Sequence, residues 1–230
     1  MTGAILTAIV FPLIGAAVQR LTGPGPRFLL GLGASGFVLY VAMVLHIPPL
    51  PLAIGLVAAA VITLVVRRST GDPALRDRVP RASVAATVVT AAPIGLLLFA
   101  SAVLPLRDYD GRAFWVLKAK AIANEKAVDG PFFRGESGHS PKNEYPLLVP
   151  VVAAAVMMAT GDSDDLQIRW IYVLALGSFA FHARRWTGPW PPALIAWLPQ
   201  FAIAPEGGAL SAYNDIIMAA FVACALFELI

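Results

Sequence analysis

The sequence predicts an all-α polytopic membrane protein, with about seven transmembrane helices and an extracytoplasmic loop that carries interfacial helices. Three observations lead there. First, 58% of the 230 residues are hydrophobic and only 13% are charged, whereas a soluble chain runs about half apolar and about a quarter charged. The charge deficit matters most, because a soluble surface needs those charges; the mean hydropathy of +0.75 agrees. Second, apolar runs such as 50–66, 82–105 and 168–181 suit spanning helices, which use ~20 mainly apolar residues. Third, these runs do not alternate in polarity, which excludes a membrane β-barrel.

Apolar runs fall at about 4–19, 28–46, 50–66, 83–105, 146–160, 167–182, 189–205 and 213–230. Proline and glycine separate them, at Gly23-Pro24-Gly25-Pro26, Pro48-Pro49-Leu50-Pro51, Gly188-Pro189 and Pro191-Pro192. Such residues end helices or occupy their first turn. The first run has no basic segment before it and other runs follow, so no signal peptide is indicated. The one cysteine, Cys224, lies in an apolar run and can form no internal disulfide. The last run stops without a flanking charge or polar tail, which suggests the N-terminal part of a longer polytopic protein. Residues 1–82 read as N-terminal transmembrane helices, and 83–230 as part of a second module with its loop at 106–145.

Charge orients the helices. The 17 basic residues outnumber 14 acidic ones, a bias that in a membrane protein marks cytoplasmic loops rather than nucleic-acid binding. Residues 67–81 carry Arg67, Arg68, Arg76, Arg78 and Arg81, which assigns them to the cytoplasm. Counting spans from there, Arg20 and Arg27 are inside, while residues 47–51 and the long loop 106–145 are outside. The run 146–160 decides the rest. Were it to span, Arg184 and Arg185 would fall outside, against the rule. Fifteen residues at ~1.5 Å each cover ~22 Å, short of a ~30 Å hydrocarbon core. It therefore reads as a re-entrant or interfacial helix, which leaves seven spans. Residues 205–215 then share a face with the loop bearing Asp108 and Asp110.

The loop opens Arg107-Asp-Tyr-Asp-Gly-Arg112. Carboxylates at the exit of a span are costly and tend to be functional. Asp108 and Asp110 can share a cation, or one can act as general base while the other positions it; equally, both can be solvated acids paired with Arg107 and Arg112. Residues 111–127 read as a helix along the membrane surface. Lys118 and Glu125 project towards the apolar arc of Phe114, Ala121 and Ile122, which a purely structural interfacial helix would avoid. Lys118 either faces a site, holding a phosphate, or snorkels to the headgroups. His139 is a candidate for proton transfer, against the plainer role of a surface residue, and His46 and His182 read as structural. The cysteine and histidine spacing offers no zinc site, and neither a phosphate-cradling loop nor a serine nucleophile turn occurs. Asp215 stands where the last run begins, as helix cap, ligand contact or both.

Three stretches together resemble a known family. Tyr109-Asp-Gly-Arg-Ala-Phe-Trp-Val-Leu-Lys-Ala-Lys120 is similar to the W-D-A-W-x-x-W-x-x-K-A-K signature of bacterial glycosyltransferases of the C superfamily, relatives of protein O-mannosyltransferases and aminoarabinose transferases. Asn143-Glu-Tyr-Pro-Leu-Leu-Val-Pro150 resembles the H-P-D-Y-P-L-L-x-P that closes their loop. Ala212-Tyr-Asn-Asp-Ile-Ile-Met-Ala219 looks like their G-Y-A-D-x-P-L-A. Order and spacing agree across 109–219, whereas the first ~80 residues match nothing specific. Tyr109 and Arg112 replace the first two tryptophans and Ile217 replaces a proline, but no carboxylate is lost.

The resemblance implies a polyprenyl-phosphate sugar donor at the outer face of the cell membrane, and a hydroxyl acceptor on a glycan, lipid or protein. Asp110 is then the base. Arg112, Lys118 and Lys120 are candidates to stabilise the leaving phosphate. Asp108, His139, Glu144, Tyr145, Tyr213 and Asp215 are implied at the substrate. The resemblance implies no required cofactor, with a divalent metal shared by Asp108 and Asp110 as the alternative. Membrane lipids are the other expected partners; nucleic acid is not one. The rival reading is a transporter or lipid flippase, which places charges near the midplane on broken helices. Here the acids gather at one surface and no internal repeat is visible.

Overall fold

The computed structural model describes residues 2–22, 25–68, 84–106, 109, 111–136, 146–188, 190–198, 209–212 and 214–229. Among these, every regular element is helical. The α-helices are α1 (Thr2–Thr22), α2 (Arg27–Val44), α3 (Pro49–Arg68), α4 (Val84–Val103), α5 (Leu117–Glu125), α6 (Leu148–Thr160), α7 (Trp170–Thr187), α8 (Trp190–Ala196) and α9 (Asn214–Leu229). A π-helical turn, Gly111–Val116, leads into α5, and a 3-10 turn, Asp165–Gln167, precedes α7.

Among the described residues, three helical stretches are long and apolar enough to cross a membrane: Arg27–Val44, Pro49–Val66 and Val84–Val103. Apolar stretches Ile5–Leu21, Leu148–Thr160 and Asn214–Leu226 are shorter. α7 has 18 residues but ends in Arg184 and Arg185, and the described part of the run 189–205 is helical only over Trp190–Ala196. The expected seven spans therefore go beyond the three that length and composition establish. The outward faces do suit hydrocarbon: α3 exposes Leu50, Ile54, Val61, Ile62, Val65 and Val66, a contiguous apolar strip that water would penalise.

The first two helices pack backbone to backbone. A Cβ at Gly15 would collide with the carbonyl of Arg27, and one at Gly31 with that of Phe11. Only glycine permits that approach, in the manner of small-residue helix contacts in membranes. Phe28 fills the remaining space, with its ring edge-on to Phe11 at 5.7 Å. At the turn, Gln19 donates to the Gly25 carbonyl at 3.0 Å and accepts from Arg27 Nε at 2.9 Å.

The main core surrounds α7, which packs against α1, α2, α4, α8 and α9. It gathers Leu29, Leu32, Ile94, Leu97, Ile171, Leu176 and Ile217. α6 is 13 residues long, about 20 Å at ~1.5 Å per residue. It lies between α2 and α5, and Val151, Val152 and Ala154 are fully buried. Gly161, left-handed at φ 67°, terminates it and returns its N–H to the Met157 carbonyl, the usual helix stop at such a residue. Asp164 then caps the 3-10 turn by accepting from Leu166 N at 3.0 Å.

Candidate functional site

Polar contacts concentrate at two ends of the bundle. At one end, Arg184 Nη2 donates to Thr87 Oγ1 at 3.1 Å and Trp197 Nε1 donates to the Val89 carbonyl at 2.9 Å. These tie the end of α7, and the residue following α8, to the start of α4. At the other end the termini of α2, α4 and α6 meet the loop. His46, just past α2, pairs with Asp129 at 3.6 Å. Leu39 and Met43 of α2 pack with Ile122, Val128, Phe132 and Phe133. Lys120 pairs with Asp165 at 2.7 Å, so the segment after α6 folds back onto the loop helix.

The π-helical turn brings two of the quoted stretches together. Gly111 lies so close to Ser211 that a Cβ would collide with the Ser211 carbonyl. Ser211, Ala212 and Asn214 are buried, and Ala212 adopts a left-handed backbone at φ 59°. An alanine there indicates a conformation imposed by its surroundings. The residue after Asp110 and the residues before Asp215 are thus neighbours. Asn214 Oδ1 is buried with no hydrogen-bond partner among the described residues. Asp215 is exposed in the first turn of α9.

Lys118 is 1% exposed, with its ammonium 5.6 Å from the Trp115 ring centre, a cation–π arrangement strengthened by exclusion of water. It does not reach out to headgroups, so the snorkelling alternative does not hold. Glu125 also turns inward, its Oε1 accepting from Phe132 N at 2.9 Å, and so folds the loop after α5. Arg112 is exposed, and the exposed Tyr109 ring stands edge-on to Phe114 at 6.3 Å. Asp108, Asp110, His139, Glu144, Tyr145 and Tyr213 lie outside the described residues, as does any metal held between Asp108 and Asp110.

One residue escaped the sequence reading. Arg169, at the N-terminus of α7, is 2% exposed. Its Nη1 donates to the Leu104 carbonyl and its Nη2 to the Leu210 carbonyl at 3.3 Å. The signal that could have found it is plain: a cation within the apolar run 167–182 costs too much to be incidental.

Compared with known protein families, with curated proteins and with solved structures, the chain matches none.

Proposed function

We propose that this chain belongs to a lipid-phosphate-dependent glycosyltransferase of the C-superfamily type, multi-pass in the cell membrane with its site on the outer face. The observation that carries this reading is the backbone approach of Gly111 to Ser211, because it joins two of the three signature-like stretches around one polar centre. The buried Lys118, on the helix that follows Gly111–Val116, supports it, since an ammonium inside a protein favours an anionic ligand such as a phosphate. About seven spans are proposed, on the charge distribution, with α6 as a non-crossing helix.

In the reaction, Asp110 accepts the proton of the acceptor hydroxyl as that oxygen attacks the anomeric carbon. The new glycosidic bond forms on the face opposite the breaking bond, so the configuration inverts. The anomeric carbon–oxygen bond to phosphate breaks, and the polyprenyl phosphate leaves with the electron pair. Lys118 and Arg112 stabilise the charge that develops on that phosphate. Lys120, with its ammonium engaged by Asp165, serves the site through α5 rather than through the phosphate. Asp108, His139, Glu144, Tyr145, Tyr213 and Asp215 are proposed to orient the sugar and acceptor. Any divalent metal would sit between Asp108 and Asp110 and add charge neutralisation.

Membranes containing the full-length protein test this with a labelled sugar on polyprenyl phosphate. Transfer of label to an acceptor hydroxyl, with release of polyprenyl phosphate, is expected. Movement of the intact labelled lipid between leaflets, with no sugar transfer, would instead establish the flippase reading.

A further inference from the structure

We propose that Arg169 is a positioning residue that sets the spacing between the exit of α4 and the turn before α9, the two elements that lead in sequence to the acid-bearing stretches of the proposed site. Its guanidinium is buried at the N-terminus of α7 and joins two carbonyls far apart in the chain, Leu104 and Leu210. Each carbonyl stands just before one half of the site. Leu104 precedes the stretch with Asp108 and Asp110, and Leu210 precedes Ser211–Asp215.

The chemistry suits arginine. Leu104 N donates to the Ala100 carbonyl at 2.9 Å, so Leu104 continues the last turn of α4 and its own carbonyl has no partner within the helix. That carbonyl lies at the negative end of the helix dipole, which favours a cation. Leu210 lies in the turn before α9, where the backbone has no ladder to join. A planar guanidinium offers donors along diverging edges and can hold both carbonyls at once, whereas a lysine ammonium is a compact point charge. Asp165 supplies the opposing charge and also pairs with Lys120 of α5. One cation therefore fixes the exit of α4 and the entry to α9. Removing it frees the two segments to drift, and ~1 Å of misplacement can cost ~100-fold in rate.

This inference rests on the proposed transferase reading for its catalytic consequence but not for its geometry, so the test has two arms. In a Cys224→Ser background, nitroxide labels at the exposed positions Tyr109 and Met218 report the spacing by pulsed electron resonance. Arg169 should give one narrow distance distribution. Arg169→Ala should broaden it, with Arg169→Lys intermediate. In the second arm, unlabelled Arg169→Lys and Arg169→Ala proteins are assayed for sugar transfer per folded molecule. The maximal rate should fall ~100-fold for Arg169→Ala and ~10-fold for Arg169→Lys, with little change in KM, as expected of a misplaced reacting group. If Arg169→Ala does not insert, Arg169→Lys decides both arms. A narrow, unshifted distribution in the variants overturns the proposal. So does an unchanged rate per folded molecule, which would leave Arg169 merely structural. A wild-type protein without transfer activity removes the transferase reading and leaves the distance arm to judge the staple.

Discussion

The α1–α2 pair and the loop end of the bundle both bring backbones into contact, one among apolar side chains and the other among polar ones. In the pair, Gly15 and Gly31 let two backbones touch, and the space left over is filled by Phe11 and Phe28. Its few polar groups, such as Gln19 and Arg27, satisfy one another at the turn. The loop end also brings backbones together, at Gly111 and Ser211, but Asn214 is buried three residues on, Arg169 is buried where it bonds the Leu210 carbonyl, and Lys118 is buried on α5. Buried ionic groups do not stabilise a fold cheaply, because desolvation offsets much of their attraction. The first region is scaffold; under the proposed function the second is the site.

The sharpest way to break the comparison is to make the same change in both regions. Gly31→Val drives a branched side chain into the Phe11 carbonyl. Overpacking of this kind costs ~1–3 kcal/mol, and more where backbone must move. We expect most of the folded protein to be lost, read as the monodisperse fraction after detergent extraction; a wild-type melt would contradict the close packing. Gly111→Val should act differently, separating the loop from Ser211 while α1–α4 stay assembled. Transfer per folded molecule should fall ~100-fold for ~1 Å of displacement, with the melting temperature changed far less than by Gly31→Val. Equal losses of stability from the two substitutions would erase the distinction between scaffold and site.

The smallest effect belongs to the Lys120–Asp165 pair. Its side chains are 37% and 24% exposed, and partly solvated pairs contribute ~0.2–1 kcal/mol. Lys120→Ala should therefore shift the melt slightly, and exchanging the two residues should largely restore it. A loss of activity from Lys120→Ala that the exchange does not rescue would return Lys120 to the phosphate.

Much of the scaffold was legible in the sequence because its signals are local. Apolar runs at 28–46, 50–66 and 83–105 coincide within a few residues with α2, α3 and α4. The short run 146–160 yields an equally short α6. α7 is displaced towards the C-terminus relative to its run, because Asp164 caps a separate 3-10 turn first and Gly188, at φ 81°, sets the far end. The site was legible in part. An imperfect apolar arc singled out Lys118 and Glu125 but left open whether Lys118 faces a site or the headgroups, and the charge count led to the expectation that residues 205–215 share the loop's face, with which the contact of Gly111 and Ser211 is compatible. The role of Arg169 was not legible, because the two carbonyls it joins are remote in sequence and leave no side-chain pattern.

The central claim is that Asp110 takes a proton from an acceptor hydroxyl at the centre formed where Gly111 meets Ser211. Asp110→Asn keeps the size of the side chain and most of its hydrogen bonding but cannot accept that proton. General-base catalysis is worth ~100- to 10,000-fold, about 3–5 kcal/mol of barrier. The direct measurement is the rate of labelled-sugar transfer from polyprenyl phosphate by membranes containing equal folded amounts of the two proteins. The account predicts a loss within that range for Asp110→Asn, with expression and insertion unchanged, and a smaller loss for Asp108→Asn unless a metal is shared. Turnover by Asp110→Asn near that of the unmodified protein would contradict it.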